Sequence, residues 1–415
     1  MKRISVIIPF VLFILFISCG NDDESANKGN GNGNEIEKFE PASATKTNPM
    51  NLYVHYMPWF ETKETNNGTW GQHWTMANKN PDKTDAGGKR EIASHYYPLI
   101  GPYASSNEAV IEYHLLLMKY SGVDGILIDW YGTRDKYDYK ANKTNTEAIV
   151  KGLEKVGLKF AIVYEDQTLK DDLEGNAKIT QAKADMQYLE SNFFGKSNYI
   201  KIDSKPFLMV FGPQQIKTPA EWTNIFSSLK NKPAFVTLYG HSGLASNTAN
   251  KNAAGEYIWV DATSMETKYA VKDNFDIFFG GAYPGFKDFY KEGGWGNSVL
   301  ATIDHQDAAL LHSLLQMAKN KNTGYLQLIT WNDFGEGTMI EPTQEFGYKF
   351  LNEIQIFSGI SYNTQVLESI LDYYNLKKKY KGNTQIEKEL LQAFYYYISL
   401  QDTKAQQIVN ELKNR

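Results

Sequence analysis

Eight short apolar runs recur along the chain, at residues 52–57, 123–130, 158–164, 206–211, 234–239, 256–260, 275–279 and 325–330. Several are apolar throughout, as in Gly125-Ile126-Leu127-Ile128 and Phe207-Leu208-Met209-Val210. Continuous rather than alternating apolarity means burial on both faces, which marks parallel strands. Between the runs lie helical patterns. Residues 107–120 place Val110, Tyr113, Leu117 and Tyr120 on one face, with Asn107 as N-cap. Residues 145–156, 177–193, 219–230 and 304–319 read similarly, and Pro219 suits a first helical turn. No longer repeat is visible. Eight strands alternating with helices predict an α/β fold, a (β/α)8 TIM barrel. An open doubly wound sheet is the alternative, but no glycine-rich phosphate loop follows the first run.

The two ends read differently. Residues 344–357, 364–374, 384–400 and 402–414 are helical patterns without strands. The first fits the eighth barrel helix and closes a catalytic barrel of residues 51–358; the rest predict a small C-terminal helical extension, 359–415, with a structural role. At the other end, Lys2 and Arg3 precede an apolar run from Ile4 to Ile17 that fits a signal h-region and is short for a transmembrane helix. It ends in Ser18-Cys19, which resembles a lipobox; residues 1–19 then form a lipoprotein signal peptide and Cys19 carries the lipid. An ordinary signal peptide with a chance cysteine is the plainer alternative. Cys19 is the sole cysteine, so a disulfide framework and a thiolate metal site are excluded. Asn21-Asp22-Asp23-Glu24 resembles a signal for display on the outer face of the outer membrane, or is a solvated linker. Residues 20–50 have almost no apolar side chains and are expected to form a flexible tether. The expected location is thus the outer membrane, facing the exterior, beside glycan-uptake partners.

A net charge of −5 argues against nucleic acid, which wants a basic face. Aromatic residues make up 14% of the chain, with 27 Tyr and 8 Trp, more than a core needs and well suited to the apolar faces of sugar rings. Extra core packing is the alternative use. In such a barrel the active site lies at the C-terminal strand ends. Those ends carry Pro58-Trp59-Phe60-Glu61, Asp129-Trp130-Tyr131-Gly132, Tyr164-Glu165-Asp166, Tyr239-Gly240-His241, Asp261, Tyr283 and the segment 331–338. Carboxylates and aromatics converge there. Glycosidic cleavage needs two carboxyl groups beside the scissile bond; acidic loop residues also serve as helix caps, which for any single Asp is the simpler reading. Asp333 and Glu336 are the sharpest pair, because they follow a buried strand and Gly335 and Gly337 flank Glu336. There is no nucleophile-elbow serine and no metal-ligand histidine spacing, and neither a metal nor a cofactor is expected.

From about Tyr53 to Pro342 the chain resembles glycoside hydrolase family 99, the endo-α-mannosidases and endo-α-mannanases. The resemblance rests on Tyr56-Met57-Pro58-Trp59-Phe60, His73-Trp74, Tyr97-Pro98-Leu99 with Gly101, Tyr103 and Ser105, Val110-Ile111-Glu112 with His114, Glu165, and the segment from Trp331 to Glu341. It implies that Asp333 takes the proton of a sugar 2-hydroxyl, that Glu336 is the general acid/base, and that the reaction retains configuration. It also places Glu165 on the family's substrate-contacting glutamate; from the strand ends and the matched motifs, Tyr56, Trp59, His73, Trp74, Asp129, Trp130, Tyr239, Tyr283, Trp331 and Glu341 are further candidate substrate contacts. Asp333 and Gly335 depart from the family pattern, and Asn332-Asp333-Phe334-Gly335-Glu336 resembles the family 71 α-1,3-glucanases. Asp129 stands where family 99 usually has serine. Cleavage of an α-mannan-type polysaccharide is therefore expected, with α-1,3-glucan, xylan or arabinan cleavage, or a catalytically dead glycan-binding barrel, as alternatives.

Overall fold

The computed structural model describes residues 35–415, apart from residues 262 and 263. The expected signal peptide and its Cys19 lie outside the described residues. Eight parallel strands form a closed barrel: β1 Asn51–Tyr56, β2 Gly125–Trp130, β3 Lys159–Tyr164, β4 Lys205–Val210, β5 Ala234–Leu238, β6 Ala253–Tyr257, β7 Ile277–Ala282 and β8 Tyr325–Leu328. Each pairs with its neighbours in sequence order, and β1 pairs β8 to close the ring. The expected sixth run lies three residues late and the seventh stops three residues early, because Gly280-Gly281 at the end of β7 and Ala253-Ala254-Gly255 at the start of β6 carry little apolar signal.

The connections follow the expected helices. Helix α1, Glu108–Lys119, is capped by the Asn107 side chain, which accepts from the backbone N–H groups of Ala109 and Val110. Then come α2 Tyr139–Val156, α3 Asn176–Leu189, α4 Pro219–Phe226, α5 Met265–Tyr269, α6 Ala309–Lys321 and α7 Lys349–Ser358. Pro219 occupies the first turn of α4, behind a capping box formed by Thr218 and Glu221. One unit departs from the repeat: β5 and β6 are joined by a loop with only a 3-10 turn at Ser242–Leu244, which Glu256 holds by accepting from the Gly240 and Ser242 N–H groups.

The barrel interior is layered. Tyr53, Phe207, Phe279 and Tyr325 stack across its lower half, with Phe207 and Phe279 centroids 4.8 Å apart and nearly parallel. Because side chains alternate along a strand, the next inward residues are two positions on. On β1 that is His55, whose ring meets Trp259 edge-on at 4.8 Å, and on β2 it is Asp129, 3.9 Å from His55 Nε2.

Helices α8 Thr364–Lys379, α9 Thr384–Ile398 and α10 Asp402–Lys413 pack with α1 on the barrel flank, and no boundary separates them from it: residues 37–415 form one compact unit. Buried Glu112 of α1 accepts from Tyr373 Oη at 2.7 Å and from Lys377 Nζ at 2.6 Å of α8. The expected tether also needs correcting. From Glu37 onward the chain lies on the body: Glu37 N–H donates to Gln392, Ala42 to the Ile398 carbonyl and Thr47 to that of Gly359, while Phe39 packs on Tyr396. The few apolar side chains of this polar stretch suffice because open helix ends offer acceptors for its backbone.

Candidate active site

The strand-eight loop is built to hold two carboxyl groups at the barrel mouth. Asn332 anchors it: its side chain accepts from Met57 N–H at 2.8 Å and donates to the Met57 carbonyl at 3.0 Å, tying the loop to the end of β1. Asp333 N–H donates to Thr330 Oγ1 at 2.8 Å, and Asp333 Oδ1 accepts from Glu336 N–H at 2.9 Å. The far side is strapped to residues 287–289, whose Lys287 and Phe289 N–H groups donate to the carbonyls of Glu336 and Gly335 at 2.8 Å. Gly337 has φ +67, and a Cβ there would stand 2.7 Å from the Lys287 carbonyl oxygen, so the strap requires glycine.

Asp333 is buried, Glu336 half-buried, and Tyr290 Oη donates to Glu336 Oε1 at 3.0 Å. Burial pushes the Asp333 carboxyl up to about 7, helped by the charge of Asp129. Burial, then Asp333, push Glu336 up to about 8. Glu165, at the end of β3, is raised well above the carboxylate range by burial and by Asp129, Asp166 and Glu336. Asp129 is raised by burial, against the influence of His55. Among the described residues, no Lys or Arg pairs with any of these four carboxyls. Such a group retains protons near neutral pH, which acid–base chemistry requires.

Beside the pair lies a cleft of about 480 Å³ lined by His73, Tyr131, Asp138, Glu165 and Trp295. Tyr290, the donor to Glu336, stacks on Trp295 at 6.3 Å. His73 lies flat on Trp59, centroids 4.2 Å apart and planes 5° from parallel, and its Nε2 is 3.0 Å from Asp138 Oδ2. Burial works against ionisation of Asp138, but His73 holds it below its ordinary value. Trp59, His73, Asp129, Glu165, Asp333 and Glu336 are thus brought to one region. Tyr239 and Tyr283 stand across the mouth, Tyr239 under Lys268 and Tyr283 donating to the Asp261 carbonyl at 2.6 Å. Lys268 in turn pairs with the Asp261 carboxylate at 2.6 Å.

Five expected contacts point elsewhere. Trp130 is one residue past inward-facing Asp129, so alternation turns it outward, onto Tyr188 of α3 at 5.7 Å. Tyr56, likewise one past His55, hydrogen-bonds His114 of α1 at 2.9 Å. Trp74 is fully buried, stacked on Phe60, and donates to the Tyr103 carbonyl. Trp331 is fully buried against His114. Glu341 accepts from Tyr103 Oη at 2.7 Å and lies 3.2 Å from His114 Nε2, off-line for a hydrogen bond. These residues support the loop from behind. Asp166 is a brace as well: its carboxylate accepts from the Gln214, Gln215 and Ile216 N–H groups and shapes the loop after β4.

Sequence reasoning misses His55, Trp259, Asp138, Tyr290 and Trp295. His55 and Trp259 lie inside or just after strands at inward parity, a signal available in principle. The other three come from long loops, where no period marks orientation.

Residues 49–239 match the model of glycosyl hydrolase family 99, so this part of the chain is similar to the glycoside hydrolases of that family. The matched stretch runs from β1 to the end of β5, and the Asp333–Glu336 loop lies beyond it. A glycoprotein endo-alpha-1,2-mannosidase-like protein of Danio rerio is 21% identical over 276 residues. The alignment covers 60% of this chain, which spans about 60% of the length of that relative. Among solved structures, the family 99 endo-alpha-mannosidase from Bacteroides thetaiotaomicron superposes with a TM-score of 0.58 at 18% identity, covering 77% of this chain and 98% of that one. A glycoside hydrolase-like protein gives 0.54 at 12% identity, covering 79% and 98%. At these identities the shared property is the barrel fold.

Proposed function

We propose that this protein is a glycoside hydrolase that cleaves α-linked polysaccharide, acting within the chain on glycans of the α-mannan type. The observation that carries the reading is the strand-eight pair: two carboxyls three residues apart, held by backbone and Tyr290, free of cationic partners, at the mouth of the barrel. A pair that shares a proton across neutral pH has one group to give it and one to take it. In the resulting mechanism Glu336 protonates the leaving oxygen and later activates water, while Asp333 takes the proton of the 2-hydroxyl as that oxygen attacks C1 to give a 1,2-anhydro sugar. Configuration is then retained and a free 2-hydroxyl is required.

The test is incubation of the protein lacking residues 1–36 with α-mannans, α-1,3-glucans and xylans, followed by product chromatography and NMR of the first-formed anomer. Release of α-anomer oligosaccharides from α-mannan is expected. Cleavage of no polymer leaves a glycan-binding barrel, and the β-anomer reassigns Asp333 as base for water. A second substrate, α-1,3-glucan, is favoured by Asp333 and Gly335 themselves, which resemble the family 71 segment.

The N-terminal reading completes the proposal: export and lipidation at Cys19, with the enzyme displayed on the outer membrane. Cys19→Ala is expected to abolish palmitate labelling and move the protein to the soluble fraction; unchanged labelling overturns it.

A further inference from the structure

A second groove continues from the cleft. It has a volume of about 660 Å³, within the roughly 300–1,000 Å³ of ligand pockets, and runs between the loop 61–75 and the start of α2. Gln72, Tyr137 and Asp138 line both spaces, so the two share a wall. The lining chemistry suits a sugar: the indoles of Trp59 and Trp70, and the amide of Asn66. Among the described residues the one cation lining it, Lys140, faces Asp135 at 3.5 Å.

The floor of this groove is built rather than loose. Buried Glu61 accepts from the Asn145 side chain, which also donates to the Pro58 carbonyl at 2.9 Å, so the groove is fixed to the end of β1. Gly71 packs so tightly on Glu61 that a Cβ there would come within 2.8 Å of the Glu61 Cβ. Tyr137 stands on the shared wall, 68% exposed, with φ +51. A left-handed backbone is strained for an L residue, and burial returns little to so exposed a ring. An aromatic platform between two grooves gives that conformation a use.

We propose that this groove is a distal sugar-binding subsite, holding a neutral pyranose residue of the same glycan whose bond is cut at the Asp333–Glu336 pair. The proposal rests on the glycosidase reading above. It makes the protein select longer chains, because a residue seated beyond the cleft adds binding that a short oligosaccharide lacks.

The experiment measures kcat/KM for linear α-manno-oligosaccharides of increasing length. In the wild type kcat/KM should rise about tenfold once the chain reaches the groove, equivalent to about 1.4 kcal/mol. Trp70→Ala removes a ring but also a donor to Asp82 and a seat for Arg90, so its loop could shift. Ala141→Trp, which fills the groove from α2 and spares those contacts, is the second variant. Both should flatten the length dependence, with melting temperature of Ala141→Trp close to wild type. A wild type that cleaves the series without any gain in length, or an Ala141→Trp protein that keeps the gain, overturns the subsite alone. A wild type that cleaves none of the series overturns the mannan reading, and the subsite with it.

Discussion

Two acidic groups of the same loop, five residues apart, have opposite surroundings. Glu341 sits behind the loop, accepting from the Tyr103 hydroxyl with the His114 ring beside it. Glu336 sits in front with Tyr290 as its side-chain donor, facing Asp333 and Glu165. A buried carboxylate with partners braces a fold, whereas carboxyls crowded together without cations cost stability and gain proton affinity. The difference separates strut from chemistry more sharply than residue type does.

The largest effect that tests this contrast is on turnover. Asp333→Asn and Glu336→Gln should each lower kcat by at least about a hundredfold, the low end for general acid–base groups, without lowering the melting temperature. Near-normal turnover in either variant removes that residue from the mechanism. Glu341→Ala should do the reverse. It leaves the buried Tyr103 hydroxyl without its acceptor, a loss of about 1–3 kcal/mol for a buried polar group left unpaired. Urea unfolding measures it, and an unchanged midpoint shows that the network is no strut.

The aromatic rings allow the same contrast. Trp130→Ala empties a fully buried site between β2 and α3 and should cost about 3–5 kcal/mol. Trp59→Ala, stacked on His73 at the cleft, should instead raise KM with a smaller change in stability. If both variants merely unfold more easily, Trp59 is packing as well.

A further effect is on the pH dependence of stability. Asp333 and Glu336 have carboxyl pKa values raised on folding, to about 7 and about 8. Groups of this kind favour the native state most when protonated, so their contribution is fully present below the ordinary carboxylate range, about pH 4, and is lost as pH rises through 7 to 8. The amide variants lack that loss. Their melting temperature relative to wild type should therefore climb between pH 4 and pH 8 and level off below pH 4. A difference that stays flat, or grows toward acid, means that the carboxyls are neutralised by something in the folded protein.

Much of this was legible in the residues. Apolar runs and their spacing specify eight strands and closure into a barrel, because periodicity is local: it depends on neighbours a few positions away. The barrel in turn places the residues after each strand at one mouth, which is why Asp129, Glu165, Asp333 and Glu336 can be collected from a one-dimensional string. What the string left open was orientation. Tyr56 and Trp130 each lie one residue from an inward-facing neighbour, His55 and Asp129, and a single step along a strand turns a side chain from the interior to the helices. Tyr290, Trp295 and Asp138 reach the site from long loops whose backbone has no period to read. The stretch from Glu37 to Met50 looks like a tether because it is polar, and is held by partners distant in sequence: helix-end carbonyls, the Gln392 side chain, Asp124 and the Tyr396 ring. Local pattern therefore fixed the scaffold, while contacts between residues far apart in sequence decided which aromatic and acidic side chains face the cleft.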